Sequence, residues 1–279
     1  NSFSLSTEVF NTRGGDFDGE TSKINILAAD QFNNPVPDGT SISFITNGGS
    51  IEGSCSTTNG GCSVTWTSQN PRPANGIVRI LARSTGQESF SDTNSNGVYD
   101  IGETILTSLD EAFLDENDNS TWNSGEFFSD FNNDSSFTVK ADPSIYQGAS
   151  CSDAAKAAGH CANLVEVRAT NGGLCMSSDE TQISGFPASI DLTTDSSIFV
   201  TFSDKNGLTP AKGTTISITT DNGTIAAGGS PKIPNECKAG GYIHEITINP
   251  DDTSSSGNMT ITVTQPDGLE KSEQIEVTD

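Results

Sequence analysis

Basic residues are scarce in this chain of 279 residues. Lysine and arginine together number 13, against 37 aspartates and glutamates, and the formal net charge is −24. A surface this acidic repels phosphate backbones and anionic lipid headgroups, which argues against a nucleic-acid or membrane-surface partner. Long apolar runs are also missing, because no stretch approaches the roughly 20 residues that a transmembrane helix needs. We therefore expect no nucleic-acid binding and no membrane insertion in this segment.

Apolar and catalytic residue types are sparse as well. Hydrophobic residues make up 32% and aromatic residues 7% of the chain, which is low for a compact enzyme but sufficient for the thin cores of β-sandwiches. There is no G-x-S-x-G motif and no phosphate-binding loop. The two histidines, His160 and His244, are interpreted as ordinary surface or cross-strand residues. Carboxylates are plentiful, but none is marked as a buried acid of a glycosidase pair. The prediction is a protein without catalytic residues.

Six cysteines indicate the compartment. None forms a C-x-x-C pair, and with only two histidines a zinc site is not expected. Six cysteines allow 15 pairings. Local spacing favours Cys55–Cys62 and Cys151–Cys161, which leaves Cys175–Cys237 as the long bridge. The alternative is a set of buried free thiols in a cytosolic protein. The even number and the two close pairs favour disulfides and an extracellular setting. Asn1 is interpreted as the start of a mature chain.

Short β-strand patterns dominate the sequence. They are rich in β-branched residues, largely alternating, and separated by Gly, Asn and Pro turns. The predicted strands cover residues 23–29, 40–46, 62–67, 76–83, 197–202, 214–220, 243–248 and 258–264. One helix is predicted at residues 152–159, where Ser152 can cap and Gly159 can end an alanine-rich turn. Such regularly spaced strands favour antiparallel β-sandwiches.

An internal repeat indicates two related domains. A shift of 174 positions superimposes residues 30–51 on residues 204–225 without a gap. Two similar hairpins in unrelated sheets are the alternative, and the identities in register make it the weaker one. The coinciding pairs are Asp30/Asp204, Gly39/Gly213, Thr40/Thr214, Ile42/Ile216, Ser43/Ser217, Thr46/Thr220, Gly49/Gly223 and Ile51/Ile225.

The motif in the first copy resembles a known family. The run D-x-x-x-N-P-V-P-D-G-T-x-I-x-F from Asp30, followed by G-G-x-I and N-G-G-C-S-V-T-W-T-S, is similar to bacterial Ig-like domains of the invasin/intimin type. The resemblance is specific over residues 18–82 and partial over residues 188–277. It implies tandem surface modules of adhesins that act as spacers or partner-binding units without catalysis. This chain departs from the pattern in two ways, since an acidic segment follows Arg83 and the second copy lacks N-P-V-P.

The acidic segment carries the clearest candidate site. No lysine or arginine lies between Arg83 and Lys140, and residues 92–134 contain 11 carboxylates. Within it, residues 92–103 read D-T-N-S-N-G-V-Y-D-I-G-E, which matches the twelve-residue calcium loop. Oxygen side chains alternate at positions 1, 3 and 5, Gly97 allows the sharp turn, and a glutamate stands at position 12. The expected ligands are Asp92, Asn94, Asn96, the Val98 carbonyl, Asp100 and Glu103.

Two further copies follow in the same segment. Residues 115–126 keep the oxygen positions, although Ser120 replaces the glycine and strains the turn. Its expected ligands are Asp115, Asn117, Asn119, the Thr121 carbonyl, Asn123 and Glu126. A third copy begins with Asp130, Asn132 and Asp134 but has no glutamate at position 12. It is either a fragment or a contributor to a neighbouring coordination shell. We expect two calcium ions, with three as the alternative.

The alternative to calcium binding is a solvated Asn- and Asp-rich loop, since these residues also form turns. Two twelve-residue copies with matched oxygens favour calcium. No amphipathic helices flank the loops, so a rigidifying role is expected rather than a sensor-like switch. The aromatic and leucine side chains of the segment are interpreted as a small packed cluster, with an exposed glycan platform as the alternative. They are Phe90, Tyr99, Leu114, Trp122 and Phe127.

Together these features predict an all-β protein of two tandem immunoglobulin-like sandwiches. The first spans residues 1–138 with the calcium insert at about 91–136, and the second spans 139–279 with a disulfide-stapled segment at 151–161. The predicted function is a calcium-rigidified extracellular module of a bacterial adhesin or stalk, anchored through regions outside this segment. The alternatives are calcium-dependent recognition of a glycan or host protein, and a filament subunit that uses its strand-like ends, residues 3–10 and 274–278.

Overall fold

The computed structural model describes residues 2–30, 33–107, 110–139, 145–162, 165–193, 197–251 and 255–278. It confirms the all-β prediction, since strands account for nearly all of the regular structure in these residues. The strands before the helix are β1 (Ser2–Thr7), β2 (Asn11–Thr12), β3 (Thr21–Ala29), β4 (Ser41–Thr46), β5 (Ser50–Ile51), β6 (Ser54–Ser56), β7 (Gly61–Thr67), β8 (Ile77–Gly86) and β9 (Tyr146–Gln147).

The predicted helix is present as α1 (Asp153–Ala157), and the Ser152 side chain caps it by accepting from the Ala155 amide. No helix in the described residues is long and apolar enough to cross a membrane. The strands after it are β10 (Cys161–Ala162), β11 (Val165–Met176), β12 (Thr181–Ser184), β13 (Ser189–Asp191), β14 (Ser197–Asp204), β15 (Thr215–Thr220), β16 (Thr224–Ala227), β17 (Tyr242–Asn249), β18 (Ser256–Thr264) and β19 (Glu270–Thr278).

The described residues form two compact units. The first consists of Asn1–Glu8, Lys23–Trp66 and Arg79–Gly172, and the second of Val9–Ser22, Thr67–Val78 and Gly173–Asp279. Residues 140–144, beside the predicted domain boundary at 138/139, lie outside the described residues. The division into residues 1–138 and 139–279 stays a prediction.

The first unit contains a sheet of order β1-β3-β7-β5, in which β1 and β3 are antiparallel, and the antiparallel strands β8, β4 and β6. Side chains alternate between core and solvent, as the sequence pattern requires. On β3, Ile24 and Ile26 are buried whereas Leu27 is 65% exposed. On β7, Trp66 is fully buried and its indole N–H donates to the Gly48 carbonyl over 2.8 Å. The buried indole N–H of Trp66 therefore has a hydrogen-bond partner within the core.

The second unit is a sandwich of two four-stranded sheets, with orders β12-β14-β17-β16 and β13-β19-β18-β15. Its core consists of inward-facing residues from both sheets, including Phe202 on β14 and Ile261 on β18. The chain segment around β2 packs onto this unit, where β2 pairs in parallel with the end of β11. In that segment Arg13 forms a bidentate ion pair with the buried Asp179, in which Nε donates to Oδ1 and Nη2 donates to Oδ2. Paired charges of this geometry fix the segment in place.

The internal repeat has a structural counterpart in each unit. Strands β4 and β15 occupy residues 41–46 and 215–220, which coincide under the 174-residue shift. The hydroxyls of Thr46 and Thr220 donate to the carbonyls two residues ahead, over 2.9 and 2.5 Å. The carboxylates of Asp30 and Asp204 both accept the amide four residues later. Equivalent residues thus form the same local turns in both copies.

The cysteines pair as Cys55–Cys62, Cys151–Cys161 and Cys175–Cys237, the combination that the spacing favours. The first joins β6 to β7 within the first unit. The second links the residue before the α1 cap to β10, also in the first unit. The third connects β11 to the segment before β17 within the second unit.

Replacing Trp66 by alanine is expected to destabilise the first unit by about 3–5 kcal/mol, because it leaves a large cavity and removes the indole hydrogen bond to the Gly48 carbonyl. Leu27→Ala on the adjacent strand removes an exposed side chain and is expected to change the unfolding free energy by less than about 0.5 kcal/mol. Denaturant unfolding, monitored by circular dichroism instead of tryptophan fluorescence, measures the unfolding free energy of both variants. Equal effects would contradict the burial assignment.

Candidate calcium-binding loops

The acidic insert lies in the first unit, between the end of β8 and the start of β9. It contains three loops that share one pattern of hydrogen bonds. We name them loop 1 (residues 92–103), loop 2 (residues 115–126) and loop 3 (residues 130–138). Positions are counted from the opening aspartate of each loop.

In loop 1 the oxygen side chains organise the turn by accepting backbone amides. The two carboxylate oxygens of Asp92 accept the amides of Asn96 and Gly97 over 3.1 and 2.8 Å. The Asn94 side-chain oxygen also accepts the Asn96 amide, over 3.0 Å, and that of Asn96 accepts the Val98 amide over 2.9 Å. Positions 1, 3 and 5 are thereby held in one tight turn, as the calcium-loop template requires.

Glu103 at position 12 closes loop 1. One of its carboxylate oxygens accepts the amide of Thr93 at position 2 over 2.7 Å. The other accepts the amide of Asp100 at position 9 over 3.0 Å. The glutamate is buried, and it joins the two ends of the loop through both of its oxygens. In the calcium template this position provides the bidentate ligand.

Loop 2 repeats the arrangement at every position. The Asp115 carboxylate accepts the amides of Asn119 and Ser120 over 3.1 and 2.7 Å. The Glu126 carboxylate accepts the amides of Glu116 at position 2 and Asn123 at position 9 over 3.0 and 2.8 Å. Asp115 is fully buried. The second predicted loop therefore has the same closed conformation as the first.

Loop 3 begins in the same way. The Asp130 carboxylate accepts the amides of Asp134 and Ser135 over 3.0 and 2.8 Å. The side-chain oxygens of Asn132 and Asp134 accept the amides two residues ahead, over 2.9 and 2.8 Å. This turn is complete through position 7. The twelfth position of this loop, residue 141, lies outside the described residues.

Glu111 closes loop 3 from outside the loop. One of its carboxylate oxygens accepts the amide of Phe131 at position 2 over 2.9 Å, and the other accepts the amide of Thr138 at position 9 over 2.9 Å. These are the two bonds that Glu103 and Glu126 make in their own loops. Sequence analysis missed Glu111, because it precedes Asp130 instead of following it. In the sequence, Glu111 is marked only as an acidic residue of the insert that no predicted loop uses as a ligand.

Backbone conformation supports one template for all three loops. Position 4 has a left-handed conformation in each, at Ser95, Asp118 and Asn133, with φ of 60°, 62° and 60°. Position 6 is also left-handed, with φ of 79° at Gly97, 60° at Ser120 and 63° at Ser135. Glycine adopts this conformation without steric cost, whereas a residue with a Cβ does not. Loops 2 and 3 thus carry strain at position 6 that loop 1 avoids.

The donor set suits a hard cation with oxygen ligands. Each loop offers carboxylate, amide and main-chain oxygens and no nitrogen or sulfur donor. In the described part of the chain, no group of three or more His, Cys, Asp and Glu side chains converges on a point that could hold a metal ion. Calcium in these loops would need asparagine and carbonyl oxygens to complete its shell, and the calcium ligands stay a prediction.

Residues at position 8 of the loops lie in aromatic clusters. Tyr99 of loop 1 stacks on Tyr146 with ring centroids 4.9 Å apart, and Phe90 packs edge-on against both. All three rings are buried together with Cys151 and Ala155. Burial, with a smaller contribution from Glu88, raises the pKa of Tyr146 to about 12.

Loops 2 and 3 share a second cluster. Trp122, at position 8 of loop 2, stacks on Phe137, at position 8 of loop 3, with centroids 5.0 Å apart. Phe128 packs edge-on against both rings. The Trp122 indole N–H donates to the Glu126 carbonyl over 3.1 Å. Of the five side chains expected to pack, Phe127 differs, because it is 42% exposed.

Two arginines of β8 contact the insert. Arg79 forms an ion pair with Asp118 of loop 2 at 3.1 Å. Arg83 donates to the Ser129 hydroxyl and lies over the Phe127 ring, with 5.7 Å between guanidinium carbon and ring centroid. The insert contains no basic residue of its own. Among the described residues, Arg79 thus pairs with a carboxylate of the insert and Arg83 contacts it through a hydroxyl and a ring.

Ser120→Gly is expected to stabilise loop 2 by about 1 kcal/mol, because it removes the Cβ from a left-handed residue. Ser124→Gly in the same loop is the matched control, since Ser124 does not have a positive φ. That control adds freedom to the unfolded chain and is expected to give no gain. Thermal unfolding of both variants measures the difference. Equal melting temperatures would contradict the strain at position 6.

The chain matches no protein-family model and no curated protein. Its structure is similar to the "D0-D1 domain of Intimin", with 9% identity, a TM-score of 0.29 and all of both chains covered. It is also similar to a C-terminal intimin fragment that was solved with the intimin-binding domain of the translocated intimin receptor. The sequence identity is 13% and the TM-score 0.33, with 99% of this chain and 64% of that chain covered. For the Yersinia pseudotuberculosis adhesin InvE the sequence identity is 10% and the TM-score 0.27, with 99% of this chain and 58% of that chain covered. In the last two cases this chain spans less than two thirds of the matched chain.

Proposed function

We propose that this chain is a non-catalytic, extracellular module of a bacterial surface adhesin or stalk, and that calcium bound to the insert rigidifies its first unit. The observation that carries the proposal is the repetition of one closed loop three times within one acidic segment. Each loop is closed by a glutamate that bridges positions 2 and 9. An ordinary turn-rich surface segment is not expected to repeat the same glutamate-closed loop three times.

Electrostatics explains why a cation is required. Residues 92–134 hold 11 carboxylates and no basic residue, so the segment repels itself when it is folded without counterions. The two attachment points on β8 supply only Arg79 and Arg83. Calcium ions would offset the repulsion and make folding of the insert depend on metal binding.

A rigidifying role fits the architecture better than a switch. Calcium sensors transmit binding through helices that flank the loop. The described residues of the insert form no helix, and loops 2 and 3 share the aromatic cluster of Trp122, Phe128 and Phe137. Bound calcium would hold these packed loops in one arrangement. The three disulfides and the resemblance of residues 18–82 to adhesin domains support a bacterial surface location.

Chelation is expected to lower the melting temperature and to increase the radius of gyration in small-angle scattering, because the insert loses the charges that hold it folded. Adding calcium back should restore both values. Magnesium is the control, because it demands a smaller octahedral shell and keeps its waters. An unchanged melt and an unchanged scattering profile in excess chelator would overturn the proposal.

Glu111→Gln is expected to remove one calcium ion of three, because the neutral amide replaces the carboxylate that closes loop 3. Glu116→Gln is the matched control: it makes the same change in charge within the insert, but the exposed Glu116 side chain is not a predicted ligand. Calorimetric calcium titration counts the sites. Loss of an ion in both variants, or in neither, would contradict the assignment of Glu111.

A second candidate function is calcium-dependent recognition of a glycan or protein. It is favoured by the exposed apolar side chains of the insert, namely Ile101, Leu106 and Phe127. The third alternative, a filament subunit, would need a free sheet edge. Strand β19 already has β18 and β13 on its two sides, whereas β1 lies at the edge of its sheet.

Trp122→Ala distinguishes packing from recognition. Since Trp122 stacks on Phe137 and bonds the Glu126 carbonyl, we expect the variant to lose about 2–4 kcal/mol of stability in the calcium-bound insert. Phe127→Ala removes an exposed ring and is the control for recognition. Calcium-dependent thermal unfolding measures both. An intact melt in Trp122→Ala together with lost glycan-array binding would favour the recognition function instead.

A further inference from the structure

We propose that the Cys151–Cys161 disulfide controls the calcium affinity of loop 1, so that its reduction weakens calcium binding there. The inference rests on the proposed function, in that loop 1 must bind calcium. It concerns how that site is regulated. Three sets of contacts connect the disulfide to the loop, and all of them lie in the first unit.

The first set joins the main chain at Cys151 to position 8 of the loop. The Tyr99 amide donates to the Ser150 carbonyl over 2.8 Å, and the Ser152 amide donates to the Tyr99 carbonyl over 3.0 Å. Tyr99 and Cys151 thereby form a parallel β-bridge. Tyr99 stands between Val98 and Asp100, which are both predicted calcium ligands. The segment at Cys151 therefore holds the backbone from which these ligands project.

The second set joins the helix cap to position 9. The Ser152 hydroxyl accepts the Ala155 amide as the cap of α1 and also hydrogen-bonds to the Asp100 carboxylate. Asp100 is thus oriented by the residue next to Cys151.

The third set comes from the other cysteine. Cys161 lies on β10, which pairs in parallel with β9, and the Tyr146 amide donates to the His160 carbonyl over 2.9 Å. Tyr146 stacks on Tyr99. Both ends of the disulfide-closed segment therefore reach Tyr99, one through the main chain and the other through the stacked ring.

A dithiol such as dithiothreitol reduces this bond by supplying two electrons and two protons, which yields two cysteine thiols and the oxidised cyclic reductant. Without the cross-link, the segment between residues 151 and 161 gains conformational freedom. Calcium binding to loop 1 then has to order the segment as well, which weakens it. Coupling of this kind typically changes affinity about ten-fold.

The test compares calcium titrations of the full chain in three forms: unaltered, Cys151→Ser/Cys161→Ser, and Cys55→Ser/Cys62→Ser. The last removes the β6–β7 disulfide, which lies outside the insert. We expect about ten-fold weaker binding at one site in the first variant and unchanged affinities in the second. Glu103→Gln, added to the unaltered chain and to Cys151→Ser/Cys161→Ser, removes loop 1 as a site. It should abolish the difference in calcium affinity between these two forms.

A measurement on the unaltered protein keeps the inference testable if the first variant does not fold. Because coupling is reciprocal, calcium must protect the Cys151–Cys161 bond from reduction by the same factor, about ten-fold. Mass spectrometry of alkylated peptides at graded dithiothreitol concentrations measures this, with Cys55–Cys62 as the internal reference. Equal reduction with and without calcium would overturn the inference and leave the calcium proposal intact. No calcium binding by the unaltered protein would overturn the proposed function itself.

Discussion

One hydrogen-bonding arrangement controls the acidic insert: a glutamate carboxylate that bridges the second and ninth amides of a loop. It occurs with Glu103, Glu126 and Glu111, in loops whose remaining sequences differ. Backbone amides orient the carboxylates but add no net positive charge, so the repulsion among 11 acidic residues remains. The proposed calcium ions would supply that charge. Folding of the insert and metal binding are then one equilibrium.

Apolar packing, aromatic stacking, hydrogen bonds and an ion pair connect the insert to the rest of the first unit, and Ala112 and Leu114 pack with the buried Leu81 of β8. Loop 1 is held by Tyr99 against Tyr146 and against the disulfide-closed segment. Loops 2 and 3 share the cluster around Trp122; Asp118 of loop 2 and Ser129, which lies between the two loops, contact Arg79 and Arg83 of β8. A calcium ion in any loop would therefore stabilise aromatic packing beyond its own ligands. This arrangement agrees with the rigidifying role that we propose for calcium.

Much of the fold could be predicted from the sequence, because a sandwich strand must alternate and its turns need particular residues. The eight predicted strands are all present, and Gly39 and Gly213 of the repeat both have the positive φ that their turns need. Strand β11 was not predicted, since residues 165–176 include an N-G-G interruption that reads as a turn. Its C-terminal end pairs with β2, a contact between distant parts of the chain that no local pattern reveals.

The candidate site could be predicted only as far as its ligands follow one another in sequence. Loops 1 and 2 match a linear template, whereas loop 3 takes its glutamate from a residue 19 positions before Asp130, a choice that tertiary packing makes. The calcium stoichiometry of the intact protein, counted by native mass spectrometry during a titration, tests the central claim most directly. We expect three tightly bound calcium ions per chain, one for each loop. A chain that stays free of calcium at saturating concentration would contradict it.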